Sequence, residues 1–430
     1  MIRSKRIGPW RLPMNSLNRI KLKYVADYIQ RGDAPTYVDS NGVAVINQAC
    51  VQQSGVDLLK MKLHDPEDMR RITSWLQQGD VLINSTGTGT LGRVAHVRDE
   101  PALPMFADGH VTIIRDSAQR FEPRYLFYVL SVQQEQITVE CAEGATNQIE
   151  LSRHRLGNKY IDWPSIERQR EVVAFLDQGT GTLDKLIAGK KHLLDLLTEK
   201  RHVLVAHAVT RGLNSRVSRR DSGIPWLGKI PAHWSLIRAK VLFREIDARS
   251  DTGEEVLLSL RMTKGLVPHN DVSEKVITPE NLIGYKKAWP QQIVINRMRA
   301  ASGLIAVAPQ AGLVSPDYAV FESVGEVNPD FFTYLFKTPL LQAVFRSESK
   351  GLGTGQSGFL RLYSENFLAI HMPVPPLEEQ CEILRWVQVE TKKIDDLVAA
   401  TERTVTLLQD RRSALISSAV TGTLGSRNAN

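Results

Sequence analysis

Cysteine is scarce in this chain of 430 residues, and long apolar segments are missing from it. The three cysteines, Cys50, Cys141 and Cys381, are odd in number and far apart, which excludes a disulfide framework and a zinc knuckle. The best apolar run, 302–314, is interrupted by glycine and proline and is shorter than the ~18 residues that cross a bilayer. No apolar segment typical of a secretory signal follows the basic N-terminus, so we expect a cytoplasmic protein without a membrane anchor.

Basic residues exceed acidic ones, 54 to 47, for a formal net charge of +7. Seven of the bases lie within the first 26 residues, where no acid occurs, and a second basic cluster spans 211–220. Such an excess is compatible with a polyanionic partner, because lysine and arginine displace counterions from phosphates. A merely solubilising surface explains it equally well, so charge alone does not establish nucleic-acid binding.

An internal repeat organises the chain. A shift of 211 residues aligns 164–213 with 375–424 without a gap, and sixteen of these fifty positions are identical. Two halves of about 210 residues are too long for a solenoid repeat. We therefore interpret the chain as a duplicated pair of modules.

The repeated segment has the pattern of a long amphipathic helix. Each copy starts with proline and acidic residues, as helices often do, and Gly212 and Gly422 suit their ends. The apolar spacing of three and four predicts one buried face. Its members include Leu183, Leu186, Leu193, Leu197 and Leu204 in the first copy, and Ile394, Leu397, Leu408 and Leu415 in the second. Taken as about 30 residues, each helix is ~45 Å long, and it packs either on its copy or on another subunit.

The sequence patterns of the two regions outside the helices predict mixed strands and helices. The two regions resemble each other only in short segments. Residues 80–84 resemble 292–296 as a strand, and 123–128 resemble 329–334 as a helix opened by proline. A shared scaffold with different loops is typical of two modules with different ligand specificities.

Sequence motifs for catalysis are weak. Gly87, Gly89 and Gly92 match G-x-G-x-x-G, but strand-like sequence follows where a phosphate-binding helix should begin, and the match at 353–358 follows a helix. Asp330, Glu348 and Lys350 could form a Mg²⁺ nuclease site, yet Asp330 fits the first turn of a helix better. No Walker A sequence is present.

Three segments resemble type I restriction–modification specificity subunits. Pro375-Pro-Leu-Glu-Glu-Gln, the helix after it and Ala419-Val-Thr are similar to the conserved helical region of that family, and 164–212 is its first copy. Ile224-Pro-Trp-Leu-Gly-Lys-Ile-Pro-Ala-His-Trp is similar to the segment that opens the family's recognition domains. The likeness extends over both halves.

The resemblance implies an α+β fold with two pseudo-symmetric mixed α/β target-recognition domains separated by two long antiparallel, coiled-coil-like helices. The expected boundaries are recognition domains at 1–162 and 222–374, helical spacers at 163–213 and 375–424, a linker at 214–221 and a tail at 425–430.

The resemblance also implies a non-catalytic subunit that reads an asymmetric bipartite DNA target. Its partners would be double-stranded DNA, two methyltransferase subunits and, in the restriction complex, two restriction subunits. S-adenosylmethionine, ATP and Mg²⁺ would then be bound by partner subunits, and this chain would bind no cofactor. The exposed apolar helix faces predict poor solubility without partners.

Residues expected to contact DNA lie in loops of the two recognition domains, where arginine can pair with guanine and Asn or Gln with adenine. They are Lys21, Lys23, Thr88, Arg93, Asn147 and Gln148 in the first domain, and Arg297, Arg299, Lys350, Gln356 and Ser357 in the second. At the starts of the spacers, Glu167, Gln169, Glu378 and Gln380 either cap the helix or contact the methyltransferase.

Two other functional classes stay open at this point. One is a self-sufficient methyltransferase or Mg²⁺-dependent nuclease with duplicated domains, which would act on DNA without a partner. The other is a helical adaptor that never reads DNA, whose behaviour would not depend on salt or on DNA sequence.

Overall fold

Two helices of more than forty residues dominate the computed structural model, which describes residues 18–52, 55–87, 89–144, 149–275, 277–352 and 359–423. One begins at Ile166 and ends at Arg211, and the other runs from Leu377 to Val420. They divide between two units: Met1–Lys191 with Glu402–Asn430 form unit 1, and His192–Thr401 form unit 2. No helix within the described ranges is long and apolar enough to cross a bilayer.

The strands of unit 1 are short and come before the first long helix. They are β1 Asn18–Lys21, β2 Tyr28–Arg31, β3 Tyr37–Val38, β4 Val43–Ile46, β5 Val51–Gln52, β6 Gly55–Val56, β7 Lys62–His64, β8 Val81–Asn84, β9 Val94–His96, β10 Met105–Ala107, β11 Val111–Arg115, β12 Ala142–Glu143, β13 Glu150–Leu151 and β14 Tyr160–Trp163. The helices are α1 Pro123–Ser131, α2 Gln134–Cys141, α3 Arg153–Asn158 and the long α4 Ile166–Arg211.

The strands of unit 2 are equally short. They are β15 Arg219–Asp221, β16 Lys229–Pro231, β17 Ser235–Arg238, β18 Phe243–Ile246, β19 Leu258–Arg261, β20 Gly265–Pro268, β21 Lys286–Ala288, β22 Ile293–Asn296, β23 Ile305–Val307, β24 Gly312–Val314, β25 Tyr318–Ser323, β26 Lys350–Leu352, β27 Phe359–Arg361 and β28 His371–Val374. The helices are α5 Ala239–Leu242, α6 Pro329–Phe336, α7 Pro339–Glu348, α8 Ser364–Ala369 and the long α9 Leu377–Val420.

The same antiparallel sheet lies at the centre of each unit. Its strand order is β2-β11-β8-β9 in unit 1 and β18-β25-β22-β23 in unit 2. An antiparallel ribbon, β1–β14 or β17–β28, precedes the long helix of each unit. The predicted fold class is thus confirmed, and the duplication includes regions where the sequences match only in islands.

Both faces of each central sheet are covered, which explains its nearly continuous apolar strands. In β8, Val81 and Ile83 pack against α1 and the long helices, whereas Leu82 belongs to a second core with β4 and β10. In β22, Ile293 and Ile295 likewise face the helices while Val294 faces the other core. Successive side chains of one strand therefore belong to two different cores, because they point to opposite faces of the sheet.

In unit 1 the two long helices run antiparallel and contact each other. Arg412 Nε donates to Asp184 Oδ1 at 2.8 Å. Five residues earlier on α4, a Cβ on Gly179 would lie 2.7 Å from Leu415, so glycine lets the helices approach closely there. Higher residue numbers on α4 thus lie beside lower residue numbers on α9, so the two helices are antiparallel.

In unit 2 the other ends of the same helices pair in the same way. Arg201 Nε lies 3.2 Å from Asp395 Oδ1, and Ala208 shares a core with Ile383 and Leu384. Under the repeat shift of 211 residues, Asp184 corresponds to Asp395 and Arg201 to Arg412. This ion pair is therefore the equivalent of the Asp184–Arg412 pair of unit 1. Both helices thus pack on each other, which was one of the two expected arrangements.

The helices are longer than the sequence pattern suggested. Their 46 and 44 residues correspond to about 69 and 66 Å at ~1.5 Å per residue, rather than ~45 Å. In α4 the helix continues through Gly179 and Gly181, and at Gly179 close packing on Leu415 of α9 offsets the low helix propensity of glycine. A further difference is that β15 lies inside the stretch expected to be a linker and pairs with β16.

Candidate nucleic-acid interface and the helix anchors

In unit 1 the loop after β8 lies beside the hairpin β12–β13. Leu151 N donates to Ser85 O at 2.8 Å, and Arg31 Nη1 bonds Glu150 Oε2 at 2.7 Å. The structure therefore brings two variable loops of the sequence to one edge of the domain. Of the predicted DNA contacts in them, Thr88, Asn147 and Gln148 lie outside the described residues.

The remaining predicted contacts of unit 1 occupy two different places. Arg93, just after the loop, is half-buried, and its Nη1 lies 3.5 Å from Val51 O. Lys21 and Lys23 belong to β1 and the turn that follows it, and Lys21 Nζ lies 5.4 Å from the centre of the Tyr160 ring. The lysines thus form a surface of their own beside α3.

Unit 2 repeats the loop arrangement with different residues. Leu362 N donates to Arg297 O at 2.9 Å, which places the turn after β22 beside the hairpin β26–β27. Lys350 is exposed and pairs in register with Arg361. Gln356 and Ser357 lie outside the described residues.

The two predicted arginines of unit 2 have different environments. Arg297 is half-buried, forms an ion pair with Glu245 and donates from Nη2 to Ser364 Oγ at 3.0 Å. Because this guanidinium is bound within the protein, a role in holding the turn fits Arg297 better than base recognition. Arg299, two residues on, is exposed.

Two basic residues in these regions were not among the DNA contacts predicted from the sequence. Arg361 is the cross-strand neighbour of Lys350, and Arg153 projects from the start of α3 with its side chain exposed. The alternating sequence 359–363 gave a usable strand signal for the first. Nothing in the local sequence distinguished Arg153 from other surface bases.

The three candidate nuclease residues, Asp330, Glu348 and Lys350, do not lie on adjacent strands. Asn328 Oδ1 accepts from Asp330 N at 3.0 Å, which makes Asn328 the N-cap of α6 and places Asp330 in its first turn. Glu348 ends α7 and Lys350 begins β26. Within the described ranges, no group of three or more His, Cys, Asp or Glu residues is arranged to hold a metal ion.

Two equivalent glutamines anchor the long helices to the domains. Gln169 is fully buried; its Oε1 accepts from Glu122 N at 2.9 Å and its Nε2 donates to Pro164 O at 3.0 Å. Gln380 repeats this geometry with Asn328 N and Pro375 O, both at 2.9 Å. Each amide thus joins the start of a long helix to the start of a domain helix.

The two glutamates expected to act with them remain on the surface. Glu167 and Glu378 are exposed. Hydrogen bonds from its own backbone amide and from the Ser165 hydroxyl lower the pKa of the Glu167 carboxyl, as expected near a helix N-terminus.

Replacing either buried glutamine should destabilise its own unit. Removal of the amide in Gln169→Ala or Gln380→Ala leaves buried backbone groups without partners, so we expect a loss of about 1–3 kcal/mol. Hydrogen exchange should show faster exchange at the Glu122 or Asn328 amide, respectively. The exposed Gln178 and Gln388 serve as controls, and Gln178→Ala or Gln388→Ala should change stability by less than about 0.5 kcal/mol. Equal losses in all four variants would contradict this anchoring role.

A second contact between domain and long helix in unit 1 is electrostatic. Asp177 on α4 accepts from Arg124 and from Tyr128 Oη, the latter at 2.6 Å. His96 lies nearby on β9 with Nδ1 buried. Burial, assisted by the charges of Arg124 and Arg98, lowers the pKa of His96 to about 4, so the ring is neutral in the folded protein.

This histidine makes the stability of unit 1 depend on pH. Unfolding restores a pKa near 6.5, so between about pH 6.5 and 4 the unfolded chain binds a proton that the folded chain does not. The contribution of His96 to the free energy of unfolding should be fully present above pH 6.5. It should fall by on the order of 2 kcal/mol as the pH decreases. Urea unfolding at pH 7.5, 6 and 5 measures this dependence. His96→Gln should reduce it, whereas the exposed His154→Gln should not, and an unchanged dependence in His96→Gln would exclude this origin.

Most residues of the predicted apolar helix face are buried or half-buried. Leu183, Leu197 and Ile394 are 6–7% exposed. Leu193, Leu204, Leu408 and Leu415 are half-buried. Leu186 and its equivalent Leu397 differ, since both are 48% exposed. They lie at the edge of the stripe, because Leu183 and Ile187 already define its centre.

Each unit exposes an equivalent apolar set on its long helices. Unit 1 exposes Phe175 and Leu186 on α4 and Leu407 on α9. The repeat shift converts them into Trp386, Leu397 and Leu196, and these six side chains are 37–68% exposed. Exposed apolar side chains mark surfaces that contact other proteins where they form a contiguous patch.

Comparison with known proteins shows which family this part of the chain resembles. Residues 68–196, which include three of the four strands of the central sheet, the loops and α4 as far as residue 196, match the model described as "Type I restriction modification DNA specificity domain". This segment is therefore similar to type I restriction–modification DNA specificity domains. The resemblance noted in the sequence is thereby confirmed, and the specificity domain includes both the loop edge and the helix anchor of unit 1.

One solved structure among those compared shows the same fold, with a TM-score above 0.5. A chain from the work "Structural basis underlying complex assembly and conformational transition of the type I R-M system" aligns with a TM-score of 0.67 at 15% identity, covering 96% of this chain and 99% of that one. The HsdS subunit from Thermoanaerobacter tengcongensis aligns over 96% of this chain and 99% of its own, at 17% identity and a TM-score of 0.46. The S subunit from M. genitalium gives 15% identity, 95% and 98% coverage, and a TM-score of 0.37. No curated protein sequence matches.

Proposed function

We propose that this specificity subunit is non-catalytic, reads a bipartite asymmetric DNA target and docks methyltransferase subunits. The observation that carries the proposal is the repetition of one design: each unit joins a sheet domain to one end of two shared antiparallel helices, while the loops at the domain edge differ. Different loops on the same scaffold would read different half-sites.

The loop edges are the proposed reading surfaces. In each domain a loop after a central strand lies beside a hairpin, held by one backbone hydrogen bond of 2.8 or 2.9 Å. Loops on a rigid scaffold can place several side chains at base edges in a groove. The described cations at this edge in unit 2 include Lys350 and Arg361 of the hairpin and Arg299 of the neighbouring turn, and in unit 1 Arg93 lies just after the loop.

The equivalent apolar sets on the helices are the proposed docking surfaces. Two copies of one partner need two equivalent surfaces, and the repeat supplies them as Phe175, Leu186 and Leu407 in unit 1 and their counterparts in unit 2. This supports a complex with two methyltransferase subunits, to which restriction subunits can add. Methyl transfer from S-adenosylmethionine and ATP-dependent cleavage would then belong to the partners.

Co-expression with a candidate adenine methyltransferase from the same organism tests the proposal. Mapping of N6-methyladenine should reveal one asymmetric target with two half-sites and a gap of fixed length. Replacing 145–148 by a Gly-Ser loop should alter one half-site only, and the same replacement at 353–358 should alter the other. Methylation or cleavage by the purified chain alone, with S-adenosylmethionine and Mg²⁺, would overturn the proposal in favour of a self-sufficient enzyme.

A further inference from the structure

One turn of unit 1 exposes apolar side chains to water. In the segment 57–61, which we call the leucine turn, Leu58 is 48%, Leu59 98% and Met61 40% exposed. A single exposed leucine is ordinary on a protein surface, but three apolar side chains within four positions form a local patch. Leu59 buries almost nothing in the folded chain, so it contributes no packing energy to unit 1. Its position is therefore better explained by a ligand that covers it.

Hydrogen bonds hold the leucine turn in place. It is a single turn of 3₁₀ helix in which Asp57 Oδ1 accepts from Leu59 N at 3.1 Å. Asp57 N donates to the backbone oxygen of the buried Cys50 at 2.8 Å. Asn47 Nδ2, from the turn after β4, donates to Lys60 O at 3.1 Å. Leu59 thus lies on a fixed turn rather than on a loose loop.

The leucine turn lies at the end of unit 1 that carries the proposed reading edge. Lys62, directly after it, begins β7, which is antiparallel to β4, so the turn lies beside the end of β4. Just beyond β4, Gln48 O accepts from Nδ2 of Asn84, the last residue of β8, at 3.0 Å. A Cβ on Gly87 would lie 2.5 Å from Gln48 Oε1. Residues 47 and 48 therefore connect the leucine turn to the loop after β8.

The charges in the turn are compatible with a polyanionic partner. Lys60 Nζ lies 3.3 Å from Asp57 Oδ2, so the acid of the turn is paired with a base. Lys62 is exposed, and its Nζ lies 4.5 Å from the centre of the Tyr37 ring. Segment 57–62 thus contains two bases and one acid, and an approaching duplex would meet no excess of negative charge within it.

The corresponding end of unit 2 also exposes an apolar side chain. Met262 lies at the tip between β19 and β20 and is 50% exposed. The chain entering β19 is parallel to β24, which ends shortly before β25 begins beside the last residue of β22. An exposed apolar side chain at the reading end is therefore found in both units, and Leu59 is the more exposed of these two.

Duplex DNA offers little apolar surface to such a side chain. Its outside consists of phosphates, sugars and polar base edges, and its apolar parts are the thymine methyl groups and the stacked faces of the bases. Leucine is one of the residues that proteins insert between base pairs, which unstacks the step and kinks the duplex. A leucine on a fixed turn beside a reading edge is suited to this role.

We propose that Leu59 inserts as a wedge between two base pairs at the half-site read by unit 1. The inference rests on the proposed function and adds a distortion of the DNA to it. Insertion would bury an apolar side chain that the free chain leaves in water, and this gain would offset part of the unstacking. Recognition of that half-site would then depend on how readily one base step opens, as well as on base contacts.

Fluorescent base analogues test the wedge. The complex with the co-expressed methyltransferase is bound to duplexes that carry the mapped target. In the half-site of unit 1 and its flanks, 2-aminopurine replaces one adenine at a time and pyrrolocytosine one cytosine at a time, and the methylated adenine is left unchanged. The parent complex should raise the fluorescence at one base step, because unstacking removes quenching by the neighbouring bases. Leu59→Gln should abolish that rise and weaken binding of the target about tenfold, as expected when one leucine is no longer buried.

Leu103 provides a matched control. It is 64% exposed and precedes β10, which is parallel to β4, so it lies at the opposite end of these strands. Leu103→Gln should retain both the fluorescence rise and the affinity. Leu59→Phe, which keeps an apolar wedge, should retain them too. Because Leu59 and Leu103 are exposed, all three variants should have the urea midpoint of the parent chain.

Three results would overturn the wedge. One is a fluorescence rise that persists in Leu59→Gln, or that is missing at every replaced base in the parent complex. Another is a parent affinity that falls to the level of Leu59→Gln when deoxyuridine replaces the thymines of the half-site, which would indicate contact with thymine methyl groups instead. The third is failure of Leu59→Gln to co-purify with the methyltransferase, which would assign the turn to a protein contact. Absence of any methylated target with the parent complex is distinct from these, since it would refute the proposed function itself.

Discussion

Trp234→Ala is expected to destabilise unit 2 by about 3–5 kcal/mol. Trp234 is 1% exposed and is among the largest side chains in the core that joins the recognition domain to the long helices. Its Nε1 donates to Glu379 Oε2 at 3.0 Å in the first turn of α9, and its ring lies 3.3 Å from where a Cβ on Gly212 would be. One side chain thus contacts the end of α4 and the start of α9.

The neighbouring His233 supplies a control for this prediction. Its Nε2 lies 2.7 Å from the same Glu379 oxygen, but its side chain is 43% exposed. His233→Ala should therefore cost less than about 1 kcal/mol. Trp234→Phe retains much of the packing and loses the hydrogen bond, so about 1–2 kcal/mol is expected. Urea unfolding followed by far-UV circular dichroism measures all three. A similar loss for Trp234→Ala and His233→Ala would show that burial is not the cause.

The sequence could predict those parts of the fold that depend on local pattern. The repeat, the helix ends at Gly212 and Gly422, and the apolar strands at 81–84 and 293–296 all correspond to observed elements. Proline correctly indicated the starts of α1 and α6. Apart from the repeat, each of these signals is contained within about ten residues, and none of them needs a tertiary contact for its interpretation.

The candidate site could be predicted less well, because side-chain partners are distant in sequence. Arg297 looked like a free loop arginine, yet Glu245, more than fifty residues earlier, binds it. Gln169 looked like a capping or partner-binding residue, yet its amide bonds a backbone group of 122. Which surface cations keep their charge unpaired follows from such pairings, and these depend on the tertiary fold.

If the proposed bipartite DNA target is read as described, a two-turn insertion in both long helices should lengthen its gap and leave its half-sites unchanged. Seven residues placed after Gly189 and seven after Ala400, equivalent positions in the repeat, add about 10 Å to each helix. Because base pairs are spaced ~3.4 Å apart, we expect a gap about three base pairs longer. Seven residues return the helix face to within about 20° of its original direction, so the buried stripe is retained. Methylation at the original spacing should fall at least a hundredfold.

Insertion in only one helix is the decisive control. It would shift one partner of each interhelical ion pair, Asp184–Arg412 in unit 1 or Arg201–Asp395 in unit 2, by two turns relative to the other. The paired insertion preserves both contacts, because each unit retains its own segments of α4 and α9. The single insertion should therefore lower stability and abolish methylation at either spacing, whereas the double insertion should change the spacing alone. Altered half-sites in the double insertion, or an unchanged gap, would show that something other than helix length sets the distance between them.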